Sequence, residues 1–114
     1  MLIVYHNNRC KKSREGLEFI KNKGVEFEVV EYLKTPFTKE LLVSIVDRFS
    51  GEPIELIRTQ EKYYKEILKG SSLTKENVVE HILKEPKLLQ RPLVDDGVKV
   101  VVGNPLSSLD LFFD

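Results

Sequence analysis

The 114-residue chain has one cysteine, no tryptophan, no surplus of either charge and no long apolar run. Each absence excludes something. A lone Cys10 closes no internal disulfide, so no disulfide framework holds the fold, and any redox chemistry at Cys10 must draw its second sulfur from outside the chain. Cys10, His6 and His81 are the only soft or imidazole ligands, too few for a zinc cluster, so no metal is expected. Eighteen Lys and Arg balance eighteen Asp and Glu, which leaves no global basic field to hold a nucleic acid. No segment approaches the roughly 18 apolar residues of a membrane helix. The N-terminus shows no charged stretch followed by an apolar one, so a cytoplasmic location is expected, with no membrane partner.

The 41% apolar residues are spread along the chain, as in an ordinary globular domain. Their periods fall into three blocks. Leu2 to Tyr5 reads as a strand that feeds the polar stretch His6-Asn7-Asn8-Arg9. Ser13, Gly16, Leu17 and Ile20 recur at helical spacing up to Gly24, and Val25, Phe27 and Val29 then alternate with glutamates, which predicts a second strand over about 26–32. A β-α-β opening favours a parallel pair with a crossover helix.

A helical block follows, predicted as an insertion over about 38–85. Thr38 caps a helix with Leu41, Leu42, Ile45, Val46 and Phe49 inward. A short turn starts at Pro53, with Ile54 and Ile57 inward. Glu61–Leu68 reads as a helix burying Tyr63, Tyr64, Ile67 and Leu68. Thr74 caps another, with Val78, Val79, Ile82 and Leu83 on one face and Pro86 at its end.

The final third returns to strand period. Leu93-Val94 and Val98–Val102 flank Asp95-Asp96-Gly97 and predict a hairpin turned by Asp-Gly. Asn104-Pro105 then caps a last short helix, Leu106–Phe112. The order predicts a single α/β domain over 1–114, thioredoxin-like, with a central mixed four-stranded sheet carrying helices on both faces.

Cys10 stands between a strand and a helix start, where free N–H groups and the helix dipole favour an anion. Arg9, Lys11, Lys12 and Arg14 flank it, and His6 is near along the loop. This setting predicts a thiolate with a pKa well below the free value. The bland alternative, a small buried core thiol, suits apolar neighbours better than four cations.

At these residues the chain resembles the ArsC-type arsenate reductases, with the Spx and YffB-like proteins as relatives. Tyr5 to Arg14 is similar to the family's nucleophile loop, commonly Tyr-His-Asn-Pro followed by Cys, two residues, Ser and Arg. Ile57-Arg58 is similar to its arginine in a Leu-Arg or Ile-Arg context, and Gln90-Arg91-Pro92-Leu93-Val94 to its Arg-Pro-Ile-Val signature, in which the proline is cis and faces the cysteine loop. The resemblance implies that Cys10 attacks arsenate to form a covalent adduct, which glutathione and glutaredoxin reduce to arsenite, with no bound cofactor. It assigns catalysis to Cys10, Arg58 and Arg91, with His6, Asn7, Ser13, Arg14, Pro92 and Asn104 binding or supporting. The chemistry fits, because guanidinium forks bind two oxyanion oxygens at once.

The chain departs from that pattern in three places. Asn104 precedes Pro105 where the reductases carry a third arginine, Asn8 replaces the loop proline, and Lys11-Lys12 stands where small residues are common. Two alternatives stay open: a glutathione-dependent thiol reductase of another substrate, and an Spx-like regulator that binds RNA polymerase. The regulators usually carry Cys-x-x-Cys, and here the second position is Ser13. His81, Tyr63-Tyr64 and Asp95-Asp96 read as packing or turn residues.

Overall fold

The computed structural model describes residues 1–113, and its chain forms two compact units. The first joins Met1–Thr35 to the segment from Arg91 onward; the second is Pro36–Gln90.

The first unit holds a four-stranded sheet of order β2-β1-β3-β4, made from β1 (Leu2–His6), β2 (Phe27–Glu31), β3 (Leu93–Asp95) and β4 (Val100–Val102). β1 runs parallel to β2 and antiparallel to β3, with Val4 opposite both Val29 and Val94. The mixed sheet is as the sequence predicts. Helix α1 (Lys11–Asn22) makes the crossover, and Gly24 at φ +70° follows its end. One sheet face gives Leu2, Val4, Val94 and Val101 to a cluster completed by Ile20 of α1 and Leu109, with Leu17, Phe19, Phe27, Phe112 and Phe113 around it. Burying each such aliphatic side chain stabilises by about 1.5–3 kcal/mol.

The hairpin differs in its turn. Asp95 pairs with Val100, and Asp96 N–H donates to the Lys99 carbonyl at 3.2 Å, which leaves Gly97 and Val98 as the tip. Only Gly97 takes positive φ, +93°. Glycine at the first tip position fits a type II′ turn at Gly97-Val98 rather than the Asp-Gly turn expected. Asp96 Oδ1 accepts from Val98 N and Lys99 N at 2.8 and 2.7 Å, and the Lys99 N–H leads in holding this exposed carboxyl below its ordinary pKa. The last helix, Leu106–Phe112, is 3-10, with Pro105 rather than Asn104 at its N-cap, after a cis Asn104-Pro105 bond.

In the second unit, α2 (Lys39–Arg48) and α3 (Lys75–Lys84) are capped as expected. Thr38 Oγ1 accepts from Leu41 N at 3.2 Å, and Thr74 and Asn77 form a reciprocal box at 3.1 and 2.7 Å. Leu42, Ile45, Val46, Val78, Val79 and Ile82 are buried, whereas Leu41 faces out. A 3-10 turn at Pro53–Leu56 buries Leu56 and Ile57 and leaves Ile54 exposed, because the chain becomes extended at Ile57. Tyr64–Leu68 winds as a π turn, closed by Lys69 N to Tyr64 O at 2.8 Å. The wider turn rotates the inward face, so Leu68 is buried while Ile67 is 55% exposed. No helix of the described residues is long and apolar enough to cross a membrane.

Candidate active site

The loop between β1 and α1 is built by its own polar side chains. Asn7 Oδ1 accepts from Arg9 N at 3.0 Å, and the Asn7 carbonyl accepts from Cys10 N at 3.0 Å, which turns the chain into α1. The Asn7 side chain does this because a short polar side chain replaces a backbone partner in turns. Arg14, from the first turn, donates through Nη1 to the Asn8 carbonyl at 3.0 Å and ties the loop to the helix.

Ser13, fully buried, joins loop and strand. Its Oγ accepts from Asn7 N at 3.1 Å and lies 2.7 Å from His6 Nδ1. His6 Nε2 faces Asn8 Oδ1 at 3.4 Å. A carbonyl oxygen only accepts, so a neutral His6 carries its proton on Nε2, and Nδ1 then accepts from the Ser13 hydroxyl. The His6 ring therefore serves the loop, and the Ser13 hydroxyl is used in both directions.

Cys10 is the N-cap of α1, half-buried, with extended backbone at φ −93° and ψ 123°. Its sulfur makes no formed cap hydrogen bond, but first-turn N–H groups face it. Burial is the largest influence and raises the thiol pKa; the Ser13 N–H, the hydrogen bond and charge of Arg91, and the Lys12 N–H outweigh it and lower the pKa overall. The four flanking cationic side chains, expected to lower it, are exposed and are not among these groups.

Arg91, remote in sequence, is buried and comes to Cys10 at the head of β3. The Arg91-Pro92 bond is cis, as the resemblance implied. The Pro92 carbonyl accepts from Gly103 N at 2.8 Å. A Cβ on Gly16 would meet Pro92 Cγ and Cδ, and one on Gly103 would lie 2.9 Å from Pro92 Cγ. Pro92 is thus seated between two glycines. Gly16 was visible in the sequence only as a small helix-face residue, and Gly103 gave no local signal because its neighbour is eleven residues away. Asn104, half-buried, follows Gly103 directly and so lies at this proline turn.

Arg58 belongs to the second unit. Its N–H donates to the Leu88 carbonyl at 2.7 Å, beside the Ile57–Leu89 bridge, and its guanidinium pairs with Glu61. That carboxylate partner was not anticipated. Among the described residues, no group of three or more His, Cys, Asp or Glu could hold a metal ion.

A thioredoxin-like α/β fold that presents one thiol of lowered pKa at a helix start, beside an arginine and a cis-proline, defines the class. The chain belongs to the ArsC family, whose model matches residues 5–112. It is 43% identical over 106 residues to the uncharacterized protein YfgD of Escherichia coli K12, covering 90% of this chain and 87% of that protein. It is 33% identical to an arsenate reductase of Neisseria meningitidis, over 94% and 93% of the two chains. The solved arsenate reductase of Vibrio cholerae superposes with a TM-score of 0.85 at 31% identity, over 96% and 95%.

Proposed function

We propose that the protein is a thiol oxidoreductase that reduces arsenate to arsenite through a Cys10 adduct, with glutathione and glutaredoxin as reductants. The observation that carries this reading is Arg91 beside a Cys10 thiol of lowered pKa in a member of the ArsC family.

Cys10 is the catalytic nucleophile. Its thiolate attacks arsenic(V), an S–As bond forms, and one oxygen leaves as water. Reduction to arsenic(III) takes two electrons. A glutathione thiolate attacks the Cys10 sulfur, the S–As bond breaks with its electron pair going to arsenic, and a Cys10–glutathione disulfide remains. Glutaredoxin then takes up the glutathione and frees Cys10. The external thiol is required because the chain has only one cysteine.

Arg91 has two roles in this reading, stabilising the thiolate and dispersing charge on the oxyanion. Arg58 is the second oxyanion fork, which requires its guanidinium to serve substrate as well as Glu61. His6, Asn7, Ser13 and Arg14 hold the loop, and Pro92 sets the backbone that carries Arg91. A free reactive thiolate suits a reducing, cytoplasmic compartment.

The test is arsenate-dependent NADPH consumption coupled through glutathione, glutathione reductase and glutaredoxin. Turnover that disappears in Cys10→Ser supports the reading; a folded protein with reactive Cys10 and no turnover overturns it. One observation favours a second reading, a glutathione-dependent reductase of another substrate: Asn104 stands where the reductases carry an arginine. The Spx-like alternative has less support, because Ser13 provides no second thiol for a switch.

A further inference from the structure

The first carboxylate of the chain is Glu15. Before it stand Arg9, Lys11, Lys12 and Arg14, all exposed, on both sides of Cys10. Four of the eighteen cations lie in this stretch, so the rest of the chain carries fourteen against eighteen carboxylates. The balanced total conceals a segregated charge.

Three observations separate this rim from ordinary surface lysines. Lys11 and Lys12 occupy the first turn of α1, which has no acidic residue. Cations there oppose the positive end of the helix dipole and cost stability. Second, Arg9, Lys11 and Lys12 have no ion-pair partner among the bridges of the described residues. Third, the groups that lead in lowering the Cys10 pKa are backbone N–H groups and buried Arg91 rather than these side chains. The rim costs stability, and no ion pair among the described residues offsets it.

We propose that Arg9, Lys11 and Lys12 form a docking rim for a protein partner whose own thiol lies in an acidic surface, guiding it onto Cys10. This rests on the reading that Cys10 exchanges with an external thiol. The exposure of the rim selects a macromolecule. Solvated charges add little affinity for a small ion, but a patch facing an opposite patch raises encounter rates by about 10- to 1,000-fold at low salt.

The experiment uses the whole protein and two pyridyl disulfide peptides, one neutral and one bearing four glutamates. Cys10 thiolate attacks the peptide sulfur, a Cys10–peptide disulfide forms, and thiopyridone leaves and is read by absorbance. The expected result is a second-order rate constant at least tenfold higher for the acidic peptide at 20 mM salt, an advantage that shrinks as salt screens the charges. An Arg9→Ala, Lys11→Ala, Lys12→Ala variant loses that advantage and keeps its rate with neutral iodoacetamide. A Lys62→Ala, Lys65→Ala, Lys69→Ala variant, with the same change in net charge, keeps it.

Equal rates for the two peptides, or an advantage that survives in the rim variant, overturns the proposal. So does low-salt self-association in sedimentation that the rim variant abolishes, since the acidic surface would then be a second copy. The assay contains no arsenate. Failure of arsenate turnover therefore leaves this result standing, and the reverse also holds.

Discussion

The ring of Pro92 occupies the space that a side chain on Gly16 would need: a Cβ there would lie 3.3 Å from Pro92 Cδ and nearer still to Cγ. Gly103 closes the other side, with its N–H bonded to the Pro92 carbonyl and both Leu109 methyls 3.2 Å from its own missing Cβ. Overpacking such a contact costs about 1–3 kcal/mol. Gly103→Ala is expected to lose that much in urea unfolding. Gly16→Ala is expected to lose at least as much, because its Cβ would approach the rigid ring at Pro92 Cγ more closely than the 2.9 Å at Gly103, which outweighs the roughly 1 kcal/mol of helix propensity that alanine regains. Wild-type midpoints for both would show that the seat is loose.

The Cys10 thiolate is expected to persist below the ordinary thiol value of about 8.5. The pH dependence of iodoacetamide alkylation reads its midpoint directly. Arg91→Gln removes a charge and a strong donor beside the sulfur and should move the midpoint upward. A variant that titrates with the wild type would remove Arg91 from thiolate stabilisation.

The same shift links stability to pH. A group whose pKa falls on folding binds protons more tightly when unfolded, so its stabilisation is complete above the unfolded value and is lost as pH falls through the folded one. Unfolding free energy is expected to rise between the folded Cys10 pKa and about 8.5, and this component should be absent in Cys10→Ser. Paired urea titrations across that interval check the sign.

Gly97→Ala places a side chain at φ +93° in the hairpin tip. The left-handed penalty is about 1–2 kcal/mol, with no crowding to add, since nothing lies within 4 Å of the missing Cβ. Thermal unfolding should fall accordingly. An unchanged midpoint would mean that the tip adopts another turn at little cost.

Asn104→Arg tests the departure from the reductase pattern. A charged hydrogen bond is worth about 1.5–3 kcal/mol, or roughly ten- to a hundredfold in kcat/KM when it acts in the transition state. Arsenate turnover should rise by that order while the Cys10 alkylation midpoint stays put. A flat response with a reactive thiol would point to a different substrate.

The sheet and the long helices were legible because their apolar residues alternate or recur over whole segments, as at Phe27 and Val29 or Leu42, Ile45 and Val46. The short elements were less so. Ile54 and Ile67 are apolar but turn outward, because one 3-10 turn ends early and one turn is π-wound. The hairpin was located, yet Asp96-Gly97 and Gly97-Val98 compete as its tip, and strand register decides between them. At the site, the loop residues could be read together because they are contiguous. Arg91 entered through its motif, whereas the Glu61 partner of Arg58 and the Gly103 seat of Pro92 depend on folded geometry.

Val4 and Val94 face each other across the centre of the sheet, ninety positions apart in the chain, and Arg91 arrives with that second strand. Contacts so distant close slowly, since chain entropy must be spent before they return anything. The local turn that places Cys10 at the start of α1 is therefore expected to form before Arg91 reaches it. The nucleophile gains the contribution of Arg91 only when the β1–β3 pairing is made, so the low-pH alkylation rate of Cys10 during refolding is expected to report on that pairing.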